Sequence, residues 1–280
     1  MRIKTDLVSV IIPAKNSSLY IVDCVNSILN QTHQNFEILI CDDHSCDNSI
    51  ELIEALNDDR IVIFKNEGSG LVDALNNLIW QSNGEYICRM DADDISFPER
   101  IERQLRYLKS SKLECVGSYA CVIDSIGIMK NTILSRPENE VLFDTFLLHG
   151  VPIIHPSALG NAQFFKKYGY RHLPSAEDYD LWVRAREGDE ALGNVPEVLL
   201  KYRIHSNQIS KLKRNEQARS SSVIRSNFLT PDRKALHWKS SLSVSNLGNS
   251  FLKLWNTNIG WPLKFRTFAK ILVREIKCII

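Results

Sequence analysis

Four places in this 280-residue sequence bring together side chains that could do chemistry. The densest is Asp91-Ala92-Asp93-Asp94, directly after the apolar run Tyr86–Met90. Three carboxylates in four positions are costly to bury without compensation. A hard divalent cation is the usual compensation, and Mg²⁺ in particular combines one or two protein carboxylates with substrate phosphates. If strand alternation persists past Met90, Asp91 and Asp93 point the same way. Asp42-Asp43 ends a second apolar run, Phe36–Cys41, where an acid can accept hydrogen bonds from a ribose or a base N–H. Glu177-Asp178 opens the helix-period segment Glu177–Arg186, and a helix dipole keeps a carboxylate at that end ionised, as a general base requires. His205, in Tyr202-Arg203-Ile204-His205, could ligate a metal or bind a phosphate.

Each feature also has a plainer reading. Asp94 or Ser96 could cap a helix that starts at Pro98. Asp42-Asp43 could form an Asx-turn or a cap ahead of Asp47-Asn48-Ser49. Glu177-Asp178 could merely cap their own helix, and a lone histidine at a strand end is commonly structural.

The elements that must position these residues follow from the periodicity. Val8–Ile12, Phe36–Cys41, Ile61–Phe64 and Tyr86–Met90 read as buried strands. Leu19–Asn30, Ser49–Leu56, Leu71–Ser82 and Pro98–Ser110 read as the helices between and after them, with Pro98 at a first helical position. This alternation means right-handed βαβ units. The expected fold is α/β: a mainly parallel, Rossmann-like sheet flanked by helices, with a helical, basic C-terminal extension. Ligands bind such sheets beyond the carboxyl ends of the strands. Pro13–Asn16, Asp42–Ser45 and Asp91–Asp94 all leave that edge. Further on, Cys115–Ser118, Ala120–Ile123 and Val198–His205 read as strands and Glu140–Leu148 as a helix. Residues 1–112 and 113–210 form the two halves of one domain, and 211–280 the extension.

Composition is that of an ordinary globular protein, 44% hydrophobic and 24% charged, with a formal net charge of +1. Nucleic acid is therefore not an expected partner. The charge is unevenly spread, however: about 16 Lys/Arg face 3 Asp/Glu from Lys201 onward, against about 18 facing 30 before it. Phe251–Ile280 interleaves those cations with aromatic and aliphatic residues. It reads either as an amphipathic segment on an anionic membrane or as helices packed on the domain with a solvated basic face. The seven cysteines contain no C-x-x-C pair, which suits a reducing compartment. The N-terminal apolar run is too short for a signal peptide, and no stretch approaches the roughly 18 apolar residues of a membrane span. The expected location is cytoplasmic, with peripheral attachment to the inner face of the cell membrane an option through 251–280.

Taken together, the motifs resemble the family 2 glycosyltransferases, nucleotide-diphospho-sugar transferases of the GT-A fold. The matching pieces run in order over about residues 7–210: Val8–Asn16, Ser27–Thr32, Phe36–Ser45, Asn66-Glu67-Gly68, Ala74-Leu75-Asn76, Gly84–Ile87, Asp91–Asp94, Pro98-Glu99-Arg100, Ala176–Trp182 and Tyr202–His205. The resemblance implies a nucleotide-sugar donor with UDP the expected nucleotide (GDP and dTDP being the others), Mn²⁺ or Mg²⁺, and inversion at the anomeric carbon. It implies a saccharide or lipid-linked saccharide acceptor, in a setting such as bacterial surface polysaccharide assembly. Position by position, it places Pro13, Ala14, Asn16, Asp42, Asp43, Asn76, Asp91 and Ala92 along the donor. It gives the metal to Asp91 and Asp93, with His205 reaching metal or diphosphate, and the general-base role to Asp178 with Glu177 beside it. Lys15, His44 and Cys46 depart from the family's aromatic residue, Gly and Thr. None of these departures removes a carboxylate.

Three other readings use the same acids. A phosphoacceptor domain also carries paired acids after an early strand, but has no role for Asp91–Asp94. A nucleotidyltransferase pairs carboxylates with metals, yet no Gly-rich phosphate loop is present. A non-catalytic binding module could keep the fold alone.

Overall fold

The computed structural model describes residues 6–228, apart from residues 139, 148, 207 and 209–211. Its elements are β1 (Val8–Ala14), α1 (Ile21–Leu29), β2 (Phe36–Asp42), α2 (Ser49–Glu54), β3 (Ile61–Lys65), α3 (Leu71–Gln81), β4 (Tyr86–Arg89), β5 (Ile95–Ser96) and α4 (Arg100–Ser111). There follow β6 (Cys115–Ile123), β7 (Met129–Leu134), α5 (Glu140–Leu147), a 3₁₀ turn (His155–Ser157), β8 (Leu159–Asn161), α6 (Ala162–Tyr168), α7 (Glu177–Glu187), β9 (Leu192–Arg203) and α8 (Arg214–Phe228).

One sheet joins all the described strands in the order β3-β2-β1-β4-β8-β6-β9-β5, with β7 added on β6. The pairings from β3 through β4 are parallel, as is β6 with β9. β8 runs antiparallel between β4 and β6, and β5 and β7 pair antiparallel with β9 and β6. Alternation splits the apolar runs between two layers, which is why they read as continuous. Ile11, Leu39, Cys41 and Ile87 pack with α3, α6 and α7. Val10, Ile12, Ile38, Ile40 and Cys88 pack with α1 and α4. Because β1, β2 and β4 are adjacent and parallel, their C-terminal loops leave one edge side by side.

The structure differs from the sequence expectations in several places. Cys115–Ser118 and Ala120–Ile123 are one strand, β6, whose register against β9 shifts at Ser118/Tyr119 and Tyr119/Ala120. β9 begins at Leu192, well before Val198, and ends at Arg203, so His205 lies just past the strand. Pro98 sits in a turn, and α4 opens at Arg100 because Gln31 accepts the Ile101 N–H and Phe97 the Arg100 N–H. Among the described residues no helix is long and apolar enough to cross a membrane. Phe251–Ile280, read from sequence as either a membrane-facing segment or helices packed on the domain, lies outside the described residues, as does all of 229–280.

Candidate active site

β4 stops at Arg89, and the chain turns through Met90 into the acids. Oxygen atoms of Asp91, Asp93 and Asp94 lie within 4.8 Å of one another. Each carboxylate is held by a different element. Asp91 accepts from Arg89 Nη2 at 2.6 Å. Asp93 lies 2.8 Å from His205 Nε2, past the end of β9. Asp94 accepts the Arg203 N–H of β9 at 2.8 Å, and its second oxygen is buried with no partner. Burial first, and then the neighbouring carboxylates, push Asp93 and Asp94 above the usual carboxylate range. An all-oxygen set with an unpartnered buried oxygen and mutual repulsion fits a hard divalent cation. The capping alternative does not hold: no side chain caps α4, and Ser96 accepts instead from Arg100 at 3.1 Å. The His205 ring packs against the Tyr20 ring at a tilt of 41°, with centroids 5.2 Å apart. It stands behind Asp93, outside the three-carboxylate group.

The loops after β1 and β2 are stitched to each other. Asn16 adopts a left-handed φ of 49°, donates its N–H to Ser45 and accepts the Cys46 N–H at 2.8 Å. His44 also has a left-handed φ, 58°, a conformation that glycine adopts without strain. Its Nε2 lies 3.1 Å from the Gly68 carbonyl. Asp42 Oδ1 accepts the Ser45 N–H, three residues on, at 3.1 Å. Asp43 is buried and takes Asn66 at 2.7 Å, the Gly70 N–H at 2.8 Å and Lys15 at 2.9 Å. Burial works to raise its pKa, but these donors together hold it below the ordinary value. Lys15, a departure at sequence level, is thus the partner of a site acid. Pro13 and Ala14 end β1 beneath this rim, and Ala92 packs into the core. Asn76 gives both ends of its amide to the Tyr170 backbone, at 2.9 and 2.8 Å.

Glu177 and Asp178 open α7, a helix buried along Tyr179, Leu181, Trp182, Val183 and Ala185. The carboxyl of Asp178 accepts the Tyr179 N–H at 2.7 Å. Burial, then the charge of Glu177, push it up to about 7. Burial likewise raises Glu177, with Asp91 adding repulsion. The dipole at this helix end therefore favours the anion but does not outweigh desolvation. A carboxylate poised near neutrality suits a general base. Lys213, whose charge acts on Glu177, lines with Pro174, Glu216 and Arg219 a groove of about 610 Å³.

Sequence reasoning assigned no role to Arg89 and Arg203, both buried here, and left Asp94, counted in the acid cluster, out of the metal set. Arg203 donates to the Asp93, Asp124 and Ser125 carbonyls and lies 4.6 Å over the Tyr20 ring. Arg89 pairs with Asp91, and its charge acts on Glu177 and Asp178 as well, so the two sets of acids share one cation. The available signal was an arginine inside an apolar strand run, Tyr86–Met90.

Known proteins resemble this chain in sequence and in fold. Residues 9–169 match the family model for glycosyl transferase family 2. An uncharacterized glycosyltransferase of Haemophilus influenzae is 34% identical over 244 residues, covering 80% of this chain and 73% of the relative. The UDP-Glc:alpha-D-GlcNAc-diphosphoundecaprenol beta-1,3-glucosyltransferase WfaP of Escherichia coli is 29% identical over 227 residues, 79% of this chain and 86% of that one. The fold resembles a mannosyltransferase from Pyrobaculum calidifontis in complex with GDP-Man and Mn²⁺, at a TM-score of 0.62 and 16% identity over 98% of this chain and 80% of the other.

Proposed function

This chain belongs to glycosyl transferase family 2 and is a glycosyltransferase, and we propose that it moves a sugar from a nucleotide-diphosphate donor, a UDP-sugar, to an acceptor hydroxyl with inversion. The observation that carries this reading is the meeting of Asp91, Asp93 and Asp94 at the end of β4, with Arg89 linking them to Glu177-Asp178.

The stitched loops Pro13–Asn16 and Asp42–Ser45 form the nucleotide side. Asp43, kept anionic by its donors, can accept from a base N–H or a ribose hydroxyl. Asp91 and Asp93 would hold Mn²⁺ or Mg²⁺, and His205 fixes Asp93 or joins it as a ligand. The ion supplies Lewis-acid stabilisation of the negative charge on the departing nucleoside diphosphate. Asp178 takes the proton of the acceptor hydroxyl as that oxygen attacks the anomeric carbon from the face opposite the leaving group. Glu177 disfavours the ionised form of Asp178 and so raises its proton affinity into a useful range. The acceptor saccharide enters along the groove at Pro174 and Lys213. The activity in WfaP's name, on a diphosphoundecaprenol-linked acceptor, supports a lipid-linked acceptor and a polysaccharide setting here too. Residues 251–280 would then bring the enzyme to the membrane that holds it.

A thermal-shift panel of UDP-, GDP- and dTDP-sugars, with and without Mn²⁺, tests the donor. A ligand that binds the folded state raises Tm by mass action. UDP-sugars should shift Tm only with Mn²⁺ present. A panel in which no nucleotide sugar shifts Tm would end this reading.

A further inference from the structure

Arg89 is the charged group of the rim with the most unexplained surroundings. It is only 2% exposed, and its backbone is fixed by the Ala158 carbonyl at 2.8 Å and by Arg100 Nη2 at 2.7 Å. Its Nη2 holds Asp91 at 2.6 Å, while Nε and Nη1 are buried with no hydrogen-bond partner. A guanidinium brings five N–H donors in a rigid fork, and an interior arginine normally has them met. This one is neither solvated nor satisfied, and it is bound to the carboxylate that a divalent cation would need.

Positive charge is already in place at that carboxylate: Arg89 holds Asp91 directly, and Arg203 Nε donates to the neighbouring Asp93 carbonyl. A free divalent ion therefore finds its attraction partly offset and a resident cation on one ligand. A nucleoside diphosphate brings further negative charge. The unpaired edge of Arg89 also has acids to turn to, since its charge already acts on Glu177 and Asp178.

We propose that Arg89 is a resident counter-cation on Asp91 that keeps the affinity for a free divalent ion low, so that ion and nucleotide diphosphate bind as a pair. Arg89 is in this sense a positioning residue, acting through Asp91. The inference rests on the metal-assisted reading of the site given above.

The test is a calorimetric Mn²⁺ titration of the full chain, alone and with saturating UDP (GDP in a parallel series). It compares wild type, Arg89→Gln, Arg89→Met and Arg89→Lys. Wild type should bind Mn²⁺ weakly alone and about tenfold or more tighter with nucleotide. The two neutral variants should bind Mn²⁺ alone about tenfold or more tighter than wild type, because a unit charge a few ångströms away is removed. Their coupling between ion and nucleotide should shrink by the same factor. Arg89→Lys, which keeps the charge, should behave like wild type. Unchanged or weaker free-ion binding by folded Arg89→Gln or Arg89→Met overturns the inference while leaving the metal site standing. Should neither neutral variant fold, the wild-type pair of titrations still decides: equal Mn²⁺ affinity with and without nucleotide overturns it. A wild type that binds no Mn²⁺ even with either nucleotide removes the metal-assisted reading itself.

Discussion

Asp43 and Asp178 are 5% and 8% exposed, yet their proton affinities move in opposite directions. Asp43 sits at the end of β2 among Asn66, the Gly70 N–H and Lys15. Asp178 sits at the start of α7 beside another carboxylate and has the Tyr179 N–H as its nearest donor. Small exposed area alone therefore does not set the charge: Asp43, nearer the rim, is met by three donors, whereas Asp178 lies deep in protein beside Glu177. The first suits recognition, where charge must not change, and the second suits proton transfer, where it must.

Several experiments would break or sharpen that contrast. The largest effect is expected between the two, at the β4 acids: Asp93→Ala should lower turnover by roughly 10²-fold or more at saturating donor, measured as nucleoside diphosphate release. Asp178→Asn should lower turnover by roughly 10²-fold while leaving donor affinity near normal. A comparable loss of donor binding would instead make Asp178 a binding residue.

The same variants differ in stability against pH. The folded pKa of Asp178 lies above its unfolded value, so its ionisation destabilises the fold progressively from about pH 4 to about pH 7. Asp178→Asn should therefore raise Tm at pH 8 and change it little at pH 4. The pKa of Asp43 is lowered, so its contribution is present above the unfolded value and lost as the pH falls below about 4. Asp43→Asn should lower stability by about 1–3 kcal/mol at neutral pH, since an amide cannot meet all three donors. Denaturant melts of both variants across that pH range give the two slopes, and slopes of the same sign would dissolve the contrast.

The smallest effect belongs to Lys15. Its side chain is 57% exposed, so its ion pair with Asp43 is screened by water and contributes about 0–1 kcal/mol. Lys15→Met should leave the fold intact and move Asp43 only slightly upward in pKa, read by NMR titration.

The donor-side half was largely legible in the sequence because its signals are local. Buried parallel strands give continuous apolar runs, and the acids fall at their ends, as with Phe36–Cys41 before Asp42-Asp43. The second half is built from contacts distant in sequence. β5 and β8 are two and three residues long, too short to show a period. β6 was read as two strands because its register break at Tyr119 lies between residues buried on both faces. Arg89 lay unremarked inside the strand Tyr86–Met90, because its partner Asp91 and the α7 acids on which its charge acts come together only in the fold. Asp94 looked like a cap because nothing local announces its bond to Arg203, more than a hundred residues away. His205 was legible as a candidate, but its bond to Asp93 was not.

The most direct test of the account is anomalous diffraction at the manganese edge from crystals grown with UDP and Mn²⁺. A peak bonded to carboxylate oxygens of both Asp91 and Asp93 and to the diphosphate is the predicted result. Bound UDP with no peak there, or with the ion held by other residues, would contradict it.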